Sequence, residues 1–89
     1  MTYEYAVRLL KAQDSNVRKI NGVRFIDNGY EYRLKYMGGF AAYVAIDRRL
    51  VGTRNFKYFG GVSAAHCWTA ADVMRLVEKD VDKHAERVG

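Results

Sequence analysis

The chain has 89 residues, of which 49% are hydrophobic, 13% aromatic and 28% charged. That composition suits one folded domain spanning 1–89 and argues against two domains or a disordered segment. The net charge of +5 and a sequence pI near 9.5 direct attention to anionic partners, while no apolar run approaches the roughly 18 residues of a membrane span.

A single cysteine excludes an internal disulfide, and the opening MTYEYAVRLL has no basic leader ahead of an apolar stretch. A reducing, cytoplasmic setting is therefore expected. In chain order, Thr2 reads as the cap of a helix running to about Gln13, with Tyr3, Ala6, Val7 and Leu10 on one stripe. Alternation of Tyr3, Tyr5, Val7 and Leu9 also fits a strand. Leu10-Lys11-Ala12-Gln13 favour the helix, and Asp14-Ser15-Asn16 stops it.

Asn28-Gly29 is a hairpin signal, because both residues tolerate the positive φ of a type I′ turn. A two-residue loop pairs Asp27 with Tyr30, Phe25 with Tyr32, Arg24 with Arg33 and Val23 with Leu34. One face then carries Val23, Phe25, Tyr30, Tyr32, Leu34 and Tyr36. The other carries Arg24, Ile26, Glu31, Arg33 and Lys35.

At Met37-Gly38-Gly39-Phe40 a two-residue loop would set Tyr36 opposite Ala41 and turn Ala42, Val44 and Ile46 onto the basic face. A three-residue loop sets Tyr36 opposite Ala42 and adds those three residues to the tyrosine-rich layer. The buried face decides register, so the three-residue loop is preferred. Arg24, Arg33, Lys35 and Tyr43 then share the outer side.

Asp47 to Arg54 reads as a strand end entering an exposed basic loop. Lys57-Tyr58-Phe59-Gly60-Gly61-Val62 echoes Lys35-Tyr36-Met37-Gly38-Gly39-Phe40, which suggests a second glycine hairpin. It implies a strand near Asn55 to Phe59, followed over Val62 to Trp68 by either another strand or a helical turn capped by Ser63.

Thr69 and Asp72 form a capping box opening a helix from about Ala70 to Arg87. Val73, Leu76, Val77, Val81, His84, Ala85 and Val88 recur at helical spacing along it. The fold class is α+β: an N-terminal helix, an antiparallel meander of three to five strands, and a C-terminal helix packed on one face of the sheet. Double-stranded-RNA-binding domains share this order. Thr69-Ala70-Ala71-Asp72-Val73, however, carries none of the lysines that open their second helix.

Charge is unevenly spread. Residues 15–60 hold nine basic and three acidic side chains, whereas residues 69–89 hold four basic and five acidic ones. Arg24 opposite Arg33 is unfavourable unless solvent screens the pair or an anion sits between them.

Chemistry-bearing constellations are missing. Neighbouring His66 and Cys67 diverge on either a strand or a helix, so Cys67 reads as a buried structural thiol. With His84 and one distant carboxylate they make a poor zinc set. His84, four residues after Asp80, reads as a salt-linked helix histidine. Gly38-Gly39 and Gly60-Gly61 read as turn glycines, since neither opens a helix with a lysine to hold phosphate. Trp68 is expected to pack in the core, and Tyr43 and Tyr58 to be exposed beside basic residues.

The sequence therefore implies a non-enzymatic binding protein with no cofactor and no metal. Arg24, Arg33, Lys35, Arg48, Arg49, Arg54 and Lys57 would supply charge, and Tyr43 and Tyr58 stacking, to a nucleic acid or a nucleic-acid-handling protein complex. The alternative is an inhibitor or adaptor, of the kind phages and mobile elements use against host complexes such as CRISPR-type defence, acting by protein–protein contact. A sheet edge near Phe56 to Phe59 would also permit a homodimer.

Overall fold

The computed structural model describes residues 3–38 and 41–88, with side chains described as far as residue 83. Helix α1 (Tyr3–Lys11) leads through a 3-10 helix (Val17–Ile20) into β1 (Arg24–Asp27), β2 (Tyr30–Met37), β3 (Tyr43–Leu50) and β4 (Lys57–Ser63), and α2 (Ala70–Val88) closes the fold. The strands form one antiparallel meander in the order β1-β2-β3-β4. Tyr5 of α1 and Val73, Met74, Val77 and Val81 of α2 join Phe25, Tyr32, Leu34, Val44 and Ile46 of the sheet in one buried cluster. This is the α+β arrangement expected.

The β1–β2 hairpin has the register read from Asn28-Gly29: Asp27 faces Tyr30, Phe25 faces Tyr32 and Arg24 faces Arg33. Asn28 at φ 51° and Gly29 at φ 82° supply the two left-handed residues that this turn requires. Phe25 stacks on Tyr32 with centroids 5.1 Å apart, while Tyr5 meets Phe25 edge-on at 5.0 Å. That contact orients α1. Its inward stripe is Tyr5, Leu9 and Ala12, not Tyr3, Ala6, Val7 and Leu10, and Tyr3 and Leu10 stand in solvent at 86% and 66% exposure. Both stripes have helical spacing, so the pattern alone leaves the rotation of this short helix open. The expected cap, Thr2, lies outside the described residues.

Between β2 and β3 the structure departs from both loop readings. Tyr36 faces Val44 and Met37 faces Tyr43, leaving residues 38–42 as the connection. Ala42, Val44 and Ile46 nevertheless join the tyrosine-rich layer, because a shift of two residues preserves sidedness. Charge distinguishes the two registers of that parity. With Tyr36 opposite Ala42, Glu31 would face Asp47. The observed register sets Glu31 against Arg49 and Arg33 against Asp47. Each opposite-sign pair contributes about 0.2–1 kcal/mol, and like charges face to face are unfavourable.

The glycine echo is not a second hairpin. Gly60 and Gly61 lie inside β4, facing Ile46 and Ala45, and a bulge shifts the register between Ile46 and Asp47. Close approach explains both glycines. A methyl group on Gly60 would stand 3.2 Å from Asp80 Oδ2, and one on Gly61 would stand 3.2 Å from both the Tyr58 hydroxyl and the Val44 carbonyl. β3 also runs further than expected, so Arg48 and Arg49 are strand residues and not part of a loop.

Past β4 the chain turns without a fifth strand and enters α2 through the expected capping box. Thr69 N–H donates to Asp72 Oδ2 at 3.1 Å, and Asp72 N–H donates back to Thr69 Oγ1 at 3.2 Å. Trp68 is 86% exposed, against the expectation of core packing, because Ala64 and Cys67 take the inward positions of this turn. Within α2, Met74 is buried and Leu76 is 40% exposed. The expected salt link of His84, like the side chains of Ala85 and Val88, lies outside the described residues.

Edge strand β1 is short, and the N–H of Ile26 donates to Glu4 Oε2 of α1 at 2.8 Å. Edge strand β4 spans seven residues. No helix among the described residues is long and apolar enough to cross a membrane.

Candidate nucleic-acid interface

The outer sheet face carries Arg24, Arg33 and Lys35 as expected, but two of the candidate cations are already engaged. Arg33 reaches Asp47 Oδ2 at 3.2 Å. Arg49 places its Nε and one terminal nitrogen 2.7 and 2.6 Å from Glu31 Oε1, and its other terminal nitrogen donates to the Arg54 carbonyl at 3.0 Å. Arg49 is thus a clamp that fixes the connection after β3. Phe56 completes the cluster. Its ring lies 4.2 Å from the Arg33 guanidinium, 4.3 Å from that of Arg49 and 5.5 Å from that of Arg24.

The facing arginines, Arg24 and Arg33, are therefore accommodated by an aromatic face together with the Asp47 carboxylate, with no anion needed between them. Sequence reasoning missed Phe56, which lies outside any strand and folds back over the sheet. Its position in Arg54-Asn55-Phe56-Lys57, close to two basic residues, was the available hint.

At the β3–β4 end of the sheet a shallow concavity of about 700 Å³ gathers Arg48, Arg49, Arg54 and Lys57 with Tyr30, Tyr58 and Phe59. No acidic residue lines it. Arg48 stands on the side of the core at the sheet's end, its guanidinium 4.1 Å from the Tyr30 ring centre and 4.4 Å from that of Phe59. Such contacts stabilise a cation by roughly 0.5–2 kcal/mol. Burial pushes the Tyr32 phenol up, and the hydrogen bond and charge of Arg48 work in the opposite sense. Among the described residues Arg48, Arg54 and Lys57 make no ion pair.

Local hydrogen bonds shape the rim. Val51 N–H donates to the Gly29 carbonyl, and the Thr53 N–H and hydroxyl both donate to the Leu50 carbonyl.

The nine candidate residues thus fall into three groups. Arg48, Arg49, Arg54, Lys57 and Tyr58 meet at the concavity. Arg24 and Arg33 belong to the Phe56 cluster. Lys35 is exposed near the far end of the outer face, and Tyr43, 41% exposed, forms part of a smaller uncharged depression beside Tyr58.

The start of α2 is not a free anion site. Ala70 and Ala71 N–H groups donate to the Ser15 and Ala12 carbonyls, and Asp72 takes those of Trp68 and Thr69. These hydrogen bonds, first that from Thr69, hold the Asp72 carboxyl below its ordinary range. Cys67 is half-buried, not fully buried, and burial raises its thiol pKa, which favours the unreactive form. His66 beside it is exposed, and among the described residues no group of three or more His, Cys, Asp or Glu side chains gathers to hold a metal.

The chain matches no protein-family model, no curated protein and no solved structure.

Proposed function

We propose that this protein is a cytoplasmic, non-enzymatic binding module that engages nucleic-acid phosphates. The observation that carries the reading is the concavity at the β3–β4 end. Four cations line it, no carboxylate does, and three aromatic rings stand among them. Arg48, Arg54 and Lys57 are the principal phosphate contacts, and Arg49 holds the rim. Arg24, Arg33 and Lys35 extend the positive surface, and Tyr43 stands beside Tyr58, without forming part of that concavity.

The test is a titration of a labelled mixed-sequence oligonucleotide at low and at raised salt, followed by anisotropy. Affinity that falls steeply with salt supports the reading through counterion release. No binding at low salt refutes it.

A second reading, favoured by the 86% exposure of Trp68 and the 69% exposure of Tyr58, is an inhibitor or adaptor that docks on a host protein complex, the mode a phage or mobile element would use. A protein partner retained after nuclease treatment and lost on Trp68→Ala substitution supports this reading over the first.

A further inference from the structure

We propose that the depression between Tyr43 and Tyr58 receives an unpaired base of a single-stranded nucleic acid whose neighbouring phosphates occupy the cationic concavity. The inference rests on the nucleic-acid reading and specifies the strand state that this site takes.

Tyr58 is a wall common to two depressions. On one side lies the concavity with Arg48, Arg54 and Lys57. On the other lies an open depression of about 390 Å³ lined by Tyr43, Gly61, Val62 and Ala65 among others, with no charged residue. That volume falls in the range of small-ligand sites.

Gly61 keeps the space between the two tyrosines clear. A methyl group there would stand 3.2 Å from the Tyr58 hydroxyl and 3.5 Å from Tyr43 Cδ2. Charge on one side of an exposed aromatic ring and a neutral, aromatic-walled slot on the other match the two ends of a nucleotide, an anionic phosphate and an uncharged flat base. A duplex cannot present that combination, because its bases are already stacked inside the helix. A single strand can splay a base onto a protein ring.

The experiment compares three labelled probes by anisotropy: a single strand of about twelve nucleotides, its duplex, and an abasic strand with the same number of phosphates. The single strand should bind at least about tenfold more tightly than the other two, and Tyr43→Ala, outside the cationic concavity, should weaken it roughly five- to hundredfold while leaving abasic affinity unchanged. Tyr58→Phe should retain single-strand affinity, because the ring is kept.

Equal affinity for all three probes, or equal losses on all three in the Tyr43→Ala variant, overturns the base slot and leaves phosphate binding standing. Failure of every probe to bind at low salt overturns both. Both tyrosines are exposed, so loss of folding does not confuse the comparison.

Discussion

Counterion release gives the proposed phosphate site a number that can be checked. Three cations of the concavity, Arg48, Arg54 and Lys57, lack a carboxylate partner among the described residues, whereas Arg49 is held by Glu31 at 2.6 Å. At about 0.7 counterions released per phosphate of a single strand, three contacts give a slope of log affinity against log salt near about −2. Raising salt from about 50 to 200 mM should then weaken binding by about twentyfold. Lys57→Ala should flatten the slope by about 0.7. Glu31→Gln should act in the opposite direction, because it releases Arg49 to a phosphate and steepens the slope by a similar amount. Anisotropy titrations at five salt concentrations measure all three. A wild-type slope shallower than about −0.7, or a Glu31→Gln protein no different from wild type, refutes the assignment of free and engaged cations.

Other outcomes follow from the packing. Phe56→Ala should destabilise the fold by about 1–3 kcal/mol in urea denaturation, since three guanidinium contacts are lost, and Phe56→Leu should recover only part of that. Leu34→Ala, at a fully buried position, should cost about 2–5 kcal/mol, whereas Trp68→Ala should change stability by less than about 0.5 kcal/mol. Thr69→Ala should cost about 1 kcal/mol by removing the cap. The Asp72 carboxyl titrates below its ordinary value in the folded chain, so its contribution is complete above about pH 4 and is lost as pH falls through the folded-state value. Thermal melts from pH 5 to pH 2 should show that loss, and Asp72→Asn should remove its share of it.

The parts of the fold legible in the sequence are those encoded within a few residues of one another. Asn28-Gly29 determines a hairpin by its own backbone preferences, and Thr69 with Asp72 determines where α2 begins. The inward set of Val44 and Ile46 was also legible, because alternation survives an even shift in register. The register itself was not, since it depends on Arg33 meeting Asp47 and Glu31 meeting Arg49 across strands joined by residues 38–42.

That same pairing changes the site. The basic face expected from alternation is real in position yet partly neutralised, and Arg48, Arg54 and Lys57, without an ion pair among the described residues, gather at the end of β3, in the connection and at the start of β4. Phe56 and Trp68 mark the remaining limit. Both are single aromatics in connections, and whether such a ring folds back or stands in water is decided by tertiary contacts that no local pattern carries.

The unequal edges of the sheet bear on assembly. Glu4 occupies the outward amide of Ile26 on the short β1, which blunts that edge against strand addition. A second copy approaching there would have to displace that carboxylate before its own backbone could pair.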